Sequence, residues 1–297
     1  MERLHKFDTM KGLLIILVVL GHFFESVHPS TPLSMISNVW IYSWHMPLFM
    51  YIAGRFAKTN YTRAIYMLLI FALCQGWFMF ALGVYLLLMP LWKRVTSRKW
   101  QYILVIVTVV FALIGGYLPE PIKPSVLIRT YAFLPYFLAG YYQLGNWTPS
   151  KKRNAILAFM GMTFVSLVFA ILYHGDNAPF YLCTVYAQPH HIITRILVYL
   201  LGFGWIRVMD GFVTNKCMPI ITKLGQSTMW LYVLHLPWLY IARPFVAEHY
   251  SFGIAILATI ITLAIWWVPA YLLTKCEKYM FKTIIPTLTQ KLQRKST

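Results

Sequence analysis

Apolar runs long enough to cross a bilayer recur along all 297 residues, and only short polar loops separate them. A hydrocarbon core about 30 Å thick takes roughly 20 apolar residues per helical crossing. No single water-soluble core of this size needs so many such runs. With 59% hydrophobic and 11% charged residues, the chain reads as all-α: a polytopic transmembrane helix bundle forming one integral membrane domain over 1–297. Trp40, Trp44, Trp92, Trp100, Trp147 and Trp266 stand near the ends of the runs, where aromatic belts meet the two membrane interfaces.

The runs fall at 8–27, 36–56, 101–118, 129–145, 154–173, 190–209, 226–243 and 253–274, with an awkward stretch at 61–92 that is too long for one crossing and too short for two. Charge settles its parity. If it returns to the side it left, residues 93–100, 146–153, 207–223 and 275–297 share one face and hold sixteen Lys and Arg, against Lys123, Arg129 and Arg243 on the other. The positive-inside tendency makes the first face cytoplasmic. The expectation is therefore about ten membrane segments, both termini in the cytoplasm, and a compressed third and fourth segment turning near Gln75-Gly76. Residues 275–297 read as a basic tail on the inner headgroups.

The formal net charge of +18 raises the question of nucleic acid. The positive residues lie in short loops instead of forming a basic domain, so the expected partners are anionic lipid headgroups and not a nucleic acid. Cys74, Cys183, Cys217 and Cys276 are isolated from one another, and neither a metal site nor a disulfide is expected.

The first run carries the chemistry. Asp8 and Lys11 stand at its start and His22 near its end, with Glu25 three residues on. Eleven residues is close to three turns of helix, so Lys11 and His22 share a face roughly 16 Å apart along the axis. Without a small-x-small cleavage site after it, this run is expected to stay in the mature chain. A titratable group at that depth in a bilayer tends to mark a working site. A neutral imidazole suits activation of a hydroxyl, and Glu25 is placed to hold its tautomer. Asp8 is expected to pair with Lys11 or Arg3. His45 and His235 fall near mid-membrane in the second and ninth segments and are expected to converge with His22. Arg129 and Arg195 also fall inside or beside membrane segments, where an arginine needs a partner.

These residues resemble a known pattern. Arg3, Phe7-Asp8, Lys11-Gly12 and Gly21-His22 are similar to the opening signature of the acyltransferase-3 family of membrane O-acyltransferases. Tyr42 to Phe49 with Ala53-Gly54 resembles its second-helix motif, and Trp77-Phe78-Met79 its Trp-Phe-Leu element. Arg129, Phe133, Pro135, Phe137 and Gly140 resemble its mid-chain pattern. Leu224-Gly225-Gln226-Ser227 with Leu231-Tyr232 and His235 resembles its late one. The likeness points to the fucose 4-O-acetylase-like branch. Lysine stands at 11 where arginine is commoner, alanine at 53 for serine and methionine at 79 for leucine.

The resemblance implies acyl transfer in the plasma membrane, from acyl-CoA, in particular acetyl-CoA, to a hydroxyl of a carbohydrate at the cell surface or on a lipid (polyprenyl) carrier. It implies no permanently bound cofactor. His22, Lys11, Asp8 and Glu25 become the candidate catalytic set, and His45, Arg129, Arg195, Tyr232 and His235 the candidate acceptor contacts. CoA phosphates need cationic partners. Arg3, Lys11, Arg55 and Arg63 are the candidates, with Lys6 and Lys58 nearby in sequence. His22 acts either as general base or as transient acyl carrier. Two other classes stay open: a transporter or flippase that uses the polar residues as a path, and a scaffold of polysaccharide assembly that has lost catalysis.

Overall fold

The computed structural model describes residues 5–25, 32–117, 125–149, 151–172, 182, 186, 188 and 191–287. Among these residues all regular structure is helical. The first six helices are α1 (His5–Phe24), α2 (Pro32–Tyr42), α3 (His45–Arg55), α4 (Tyr61–Cys74), α5 (Trp77–Lys93) and α6 (Arg98–Ile114). They are followed by α7 (Ser125–Tyr141), α8 (Lys152–Leu172), α9 (His191–Phe212), α10 (Pro219–Gln226), α11 (Thr228–Glu248) and α12 (Phe252–Tyr279).

By length and composition, five helices among the described residues can cross a membrane: α1, α6, α8, α9 and the long rod begun by α12. The helical class is as expected, whereas about ten segments, with the third and fourth compressed, are not all seen among the described residues, and the differences have local causes. The run at 36–56 is not one helix, because α2 ends at Tyr42 and α3 begins at His45. Ser43 Oγ donates to the Trp40 carbonyl (2.8 Å) and His45 Nδ1 to the Ile41 carbonyl (2.8 Å), so side chains satisfy backbone acceptors that the break sets free.

The stretch at 61–92 forms the packed pair α4 and α5. Asn60 caps α4 by accepting from the Arg63 N–H (2.9 Å), and Gln75 ends it in the left-handed region at φ +53°. At about 1.5 Å per residue these two helices are roughly 21 and 26 Å long, each under the thickness of a hydrocarbon core. The first part of the expected tail, 275–287, is helical. The helix runs on through Lys275, whose ammonium lies 4.6 Å from the Tyr271 ring, and through a π turn at Met280–Ile284 to 287. Residues 207–223, drawn as a loop, contain the start of α10, where Pro219 occupies the first turn with its preset φ.

The described helices sort into two compact units, one built from 1–26 with 215–297 and the other from 27–214. In the first unit α1 packs on α10, α11 and α12. Its tightest crossing, on α10, is backbone against backbone. A Cβ on Gly12 would lie 1.9 Å from the Ile221 carbonyl oxygen, and one on Gly225 only 1.7 Å from that of Asp8. Small residues of this kind let helices approach where lipid supplies no hydrophobic drive. Thr9 and Thr222 share a hydroxyl hydrogen bond (2.9 Å) across the same crossing.

In the second unit α3 and α7 cross in the same way. Gly54 sits on the Phe137 carbonyl and Gly140 on that of Tyr51, each leaving 1.9 Å to a would-be Cβ. Around this crossing is an aromatic core of Trp44, Trp205, Tyr85, Tyr136 and Phe137. The Trp205 indole N–H donates to Ser166 Oγ (2.9 Å), so its polar atom is satisfied in an apolar place.

Candidate active site

The first unit holds the densest cluster of titratable groups among the expected site residues. His22 lies in the last turn of α1, where backbone carbonyls have no partner within the helix. Arg243, from α11, meets that end. Its Nε–H donates to the His22 carbonyl oxygen (3.2 Å), and its terminal Nη2 lies 3.0 Å from His22 Nδ1 and 2.9 Å from Glu25 Oε2. Glu25 Oε2 is in turn 3.1 Å from His22 Nδ1. The three side chains are partly exposed, at 25% for His22, 24% for Glu25 and 38% for Arg243, so the cluster is open to a solute.

Behind it His235 is almost wholly buried, and its ring stacks on that of His22 with centroids 5.5 Å apart and planes 27° apart. Its Nδ1 donates to the Leu231 carbonyl (3.1 Å), which leaves Nε2 with the lone pair. That nitrogen is buried with no hydrogen-bond partner. An orphaned acceptor of this kind costs on the order of 1–3 kcal/mol and fits a hydroxyl donor arriving with a ligand. Tyr232, one turn away on α11, is buried with its ring 5.5 Å from that of His235.

At the other end of α1, Lys11 Nζ and Asp8 Oδ1 form an ion pair at 2.9 Å, one of the two pairings expected for Asp8. Arg3 lies outside the described residues. His22 and His235 come together as expected. His45 belongs to the second unit, where its Nδ1 bridges the α2–α3 break.

The remaining expected residues are also in the second unit. Arg129 lies over the Trp77 ring (5.3 Å), itself packed on Phe133. Arg195 is fully buried in the first turns of α9, its guanidinium 4.5 Å from the Tyr186 ring. Arg55 donates to Asn146 Oδ1 (2.8 Å), which Tyr51 also engages (2.8 Å). Arg63 is exposed on the first turn of α4. Sequence reasoning counted Arg243 only among outer-face charges. The signal that marks it is an arginine inside an apolar helix, about two turns beyond His235.

His22 thus stands part-buried at the end of an apolar helix with its Nδ1 facing both the Glu25 carboxylate and the Arg243 guanidinium. The acyltransferase domain of the acyltransferase-3 family matches this chain over residues 59–271. The chain belongs to that family. The match takes in α4 to α11 and most of α12, including His235 and Arg243, and α1 with His22 precedes it. A curated relative, the nodulation protein NolL of Sinorhizobium fredii (strain NBRC 101917 / NGR234), is 45% identical over 67 residues. That alignment takes in 20% of this chain and 18% of the relative. No solved structure matches the chain.

Proposed function

We propose that this protein is an O-acyltransferase of the plasma membrane, moving an acetyl group from cytoplasmic acetyl-CoA to a hydroxyl of a cell-surface or lipid-linked carbohydrate. The observation that carries the reading is the contact of His22 with Glu25 and Arg243, backed by His235 with its orphaned Nε2, in a chain of this family. The acceptor hydroxyl gives its proton to His22 Nε2 as its oxygen attacks the thioester carbonyl. Collapse of the tetrahedral intermediate breaks the C–S bond, and the CoA thiolate takes the proton from His22. The products are an ester and free CoA thiol, and His22 is restored. Glu25 holds the ring through Nδ1–H during transfer, and the His235 lone pair receives a donor from the acceptor sugar.

Arg3, Lys11, Arg55 and Arg63 are the candidate partners of the CoA phosphates. The excess of Lys and Arg in 93–100, 146–153, 207–223 and 275–297 supports a cytoplasmic position for both termini.

Mass spectrometry of surface glycan, before and after mild alkali, tests the reading in cells carrying the native protein, His22→Ala or neither. An alkali-labile acetyl mass that needs both the gene and His22 is the expected result. Equal masses in all three, with the protein folded and in the membrane, overturn it. An acyl group trapped on His22 by rapid quenching assigns a carrier role instead of direct attack.

A further inference from the structure

His22 Nδ1 is claimed by two neighbours whose demands are opposite. Glu25 Oε2, at 3.1 Å, asks for a proton on that nitrogen, because a carboxylate only accepts. Arg243 Nη2, at 3.0 Å, asks for a lone pair there, because a guanidinium only donates. The arginine is the better fixed of the two. Its Nε–H is bound to the His22 carbonyl (3.2 Å), an acceptor freed by the end of α1, and its Nη2 is also bound to Glu25 (2.9 Å). A cation is further favoured at a helix C-terminus. Glu25 already receives an N–H from Arg243 and does not depend on His22 for a partner. We infer that Arg243 is a positioning residue that sets the tautomer of His22, holding Nδ1 unprotonated and the ring proton on Nε2 while the site is empty.

This deepens the proposed function and rests on it only for its consequence. A base working at Nε2 needs the other tautomer. The ring proton must leave Nε2 for solvent while another is taken up at Nδ1, with no net change in charge. Nδ1–H then donates to Glu25, and the guanidinium must turn away, since two donors cannot share the contact. Arg243 is the most exposed of the three side chains, at 38%. An acceptor with an anionic group that draws the guanidinium outward thereby switches the base on. In its absence His22 presents a donor, and water is not activated against acyl-CoA.

Ring-15N histidine spectra of the full-length protein in lipid bilayers test this without any acyl transfer, with His22 assigned by difference from His22→Gln. The expected wild-type signature is Nε2 protonated and Nδ1 unprotonated. Arg243→Met should move Nδ1 to the protonated position, and Arg243→Lys should return it. The His235 signal, protonated at Nδ1 toward Leu231, reports that the fold is intact. A wild-type His22 protonated at Nδ1 overturns the proposal, as does an unchanged His22 in Arg243→Met with His235 undisturbed. Should Arg243→Met not fold, Glu25→Gln decides. Retention of the wild-type tautomer supports Arg243 as its cause, and a flip to Nδ1–H overturns it. A wrong functional reading appears in the glycan masses and leaves these spectra standing.

Discussion

Gly225 of α10 rests on the backbone of Asp8 in α1, so closely that a Cβ would stand 1.7 Å from the Asp8 carbonyl oxygen and 2.8 Å from the Gly12 nitrogen. Neither neighbour is the end of a flexible side chain, so the helices themselves must part. Gly225→Ala should therefore cost about 3 kcal/mol or more, read as a lower melting temperature of the purified protein. Gly161→Ala in α8, where nothing lies within 4 Å, should be neutral or stabilising by up to about 1 kcal/mol. Equal melting temperatures for the two variants would show that the α1–α10 crossing is not close.

Asp8 and Lys11 neutralise one another at the buried start of α1. Removing one charge breaks this pair and leaves an opposite charge uncompensated within it, whereas removing both does not. Asp8→Asn and Lys11→Met should each destabilise, and the double variant should recover part of the loss, with a coupling of about 1–3 kcal/mol in a thermal-melt cycle. Strict additivity would mean that the pair does not hold the helix.

In the proposed mechanism Glu25 accepts a hydrogen bond from His22 Nδ1–H. Glu25→Gln should leave the melting temperature within about 1 kcal/mol of native stability, as a half-exposed position allows. Turnover, followed as CoA thiol release in the presence of acceptor, should drop by about 10²–10⁴-fold. Native turnover in Glu25→Gln would remove the carboxylate from the mechanism.

His45 and His235, both buried, should respond differently. His45 satisfies the Ile41 carbonyl at a helix break, and His45→Ala should cost about 1–3 kcal/mol of stability by orphaning that acceptor. His235 presents an orphaned nitrogen beside His22. His235→Ala should raise the KM for the acceptor with a smaller change in melting temperature. A kinetic defect confined to His45→Ala would reverse these assignments.

The sequence by itself determined the helical class, the turn at Gln75-Gly76, and the choice of His22, Glu25, Lys11, Asp8 and His235 as residues to watch. Each is a local or periodic matter. Apolar run length sets helices, a left-handed residue before glycine sets a turn, and a charge three residues away on one helix lies within reach. Tertiary structure alone decided the rest. The apolar run at 36–56 carries Pro47, which falls in the first turn of α3 and disfavours an unbroken helix, but the acceptors that Ser43 and His45 satisfy exist only once the helix has parted. Helix α10 hid among loop charges, since its close crossing rests on Gly225 against the backbone of α1 and on Gly12 of α1 against its own Ile221. Arg243 looked like one outer-face cation among three. Its bonds to His22 and Glu25 join residues more than 200 positions apart, and no periodicity within a helix encodes a contact that packing between helices creates.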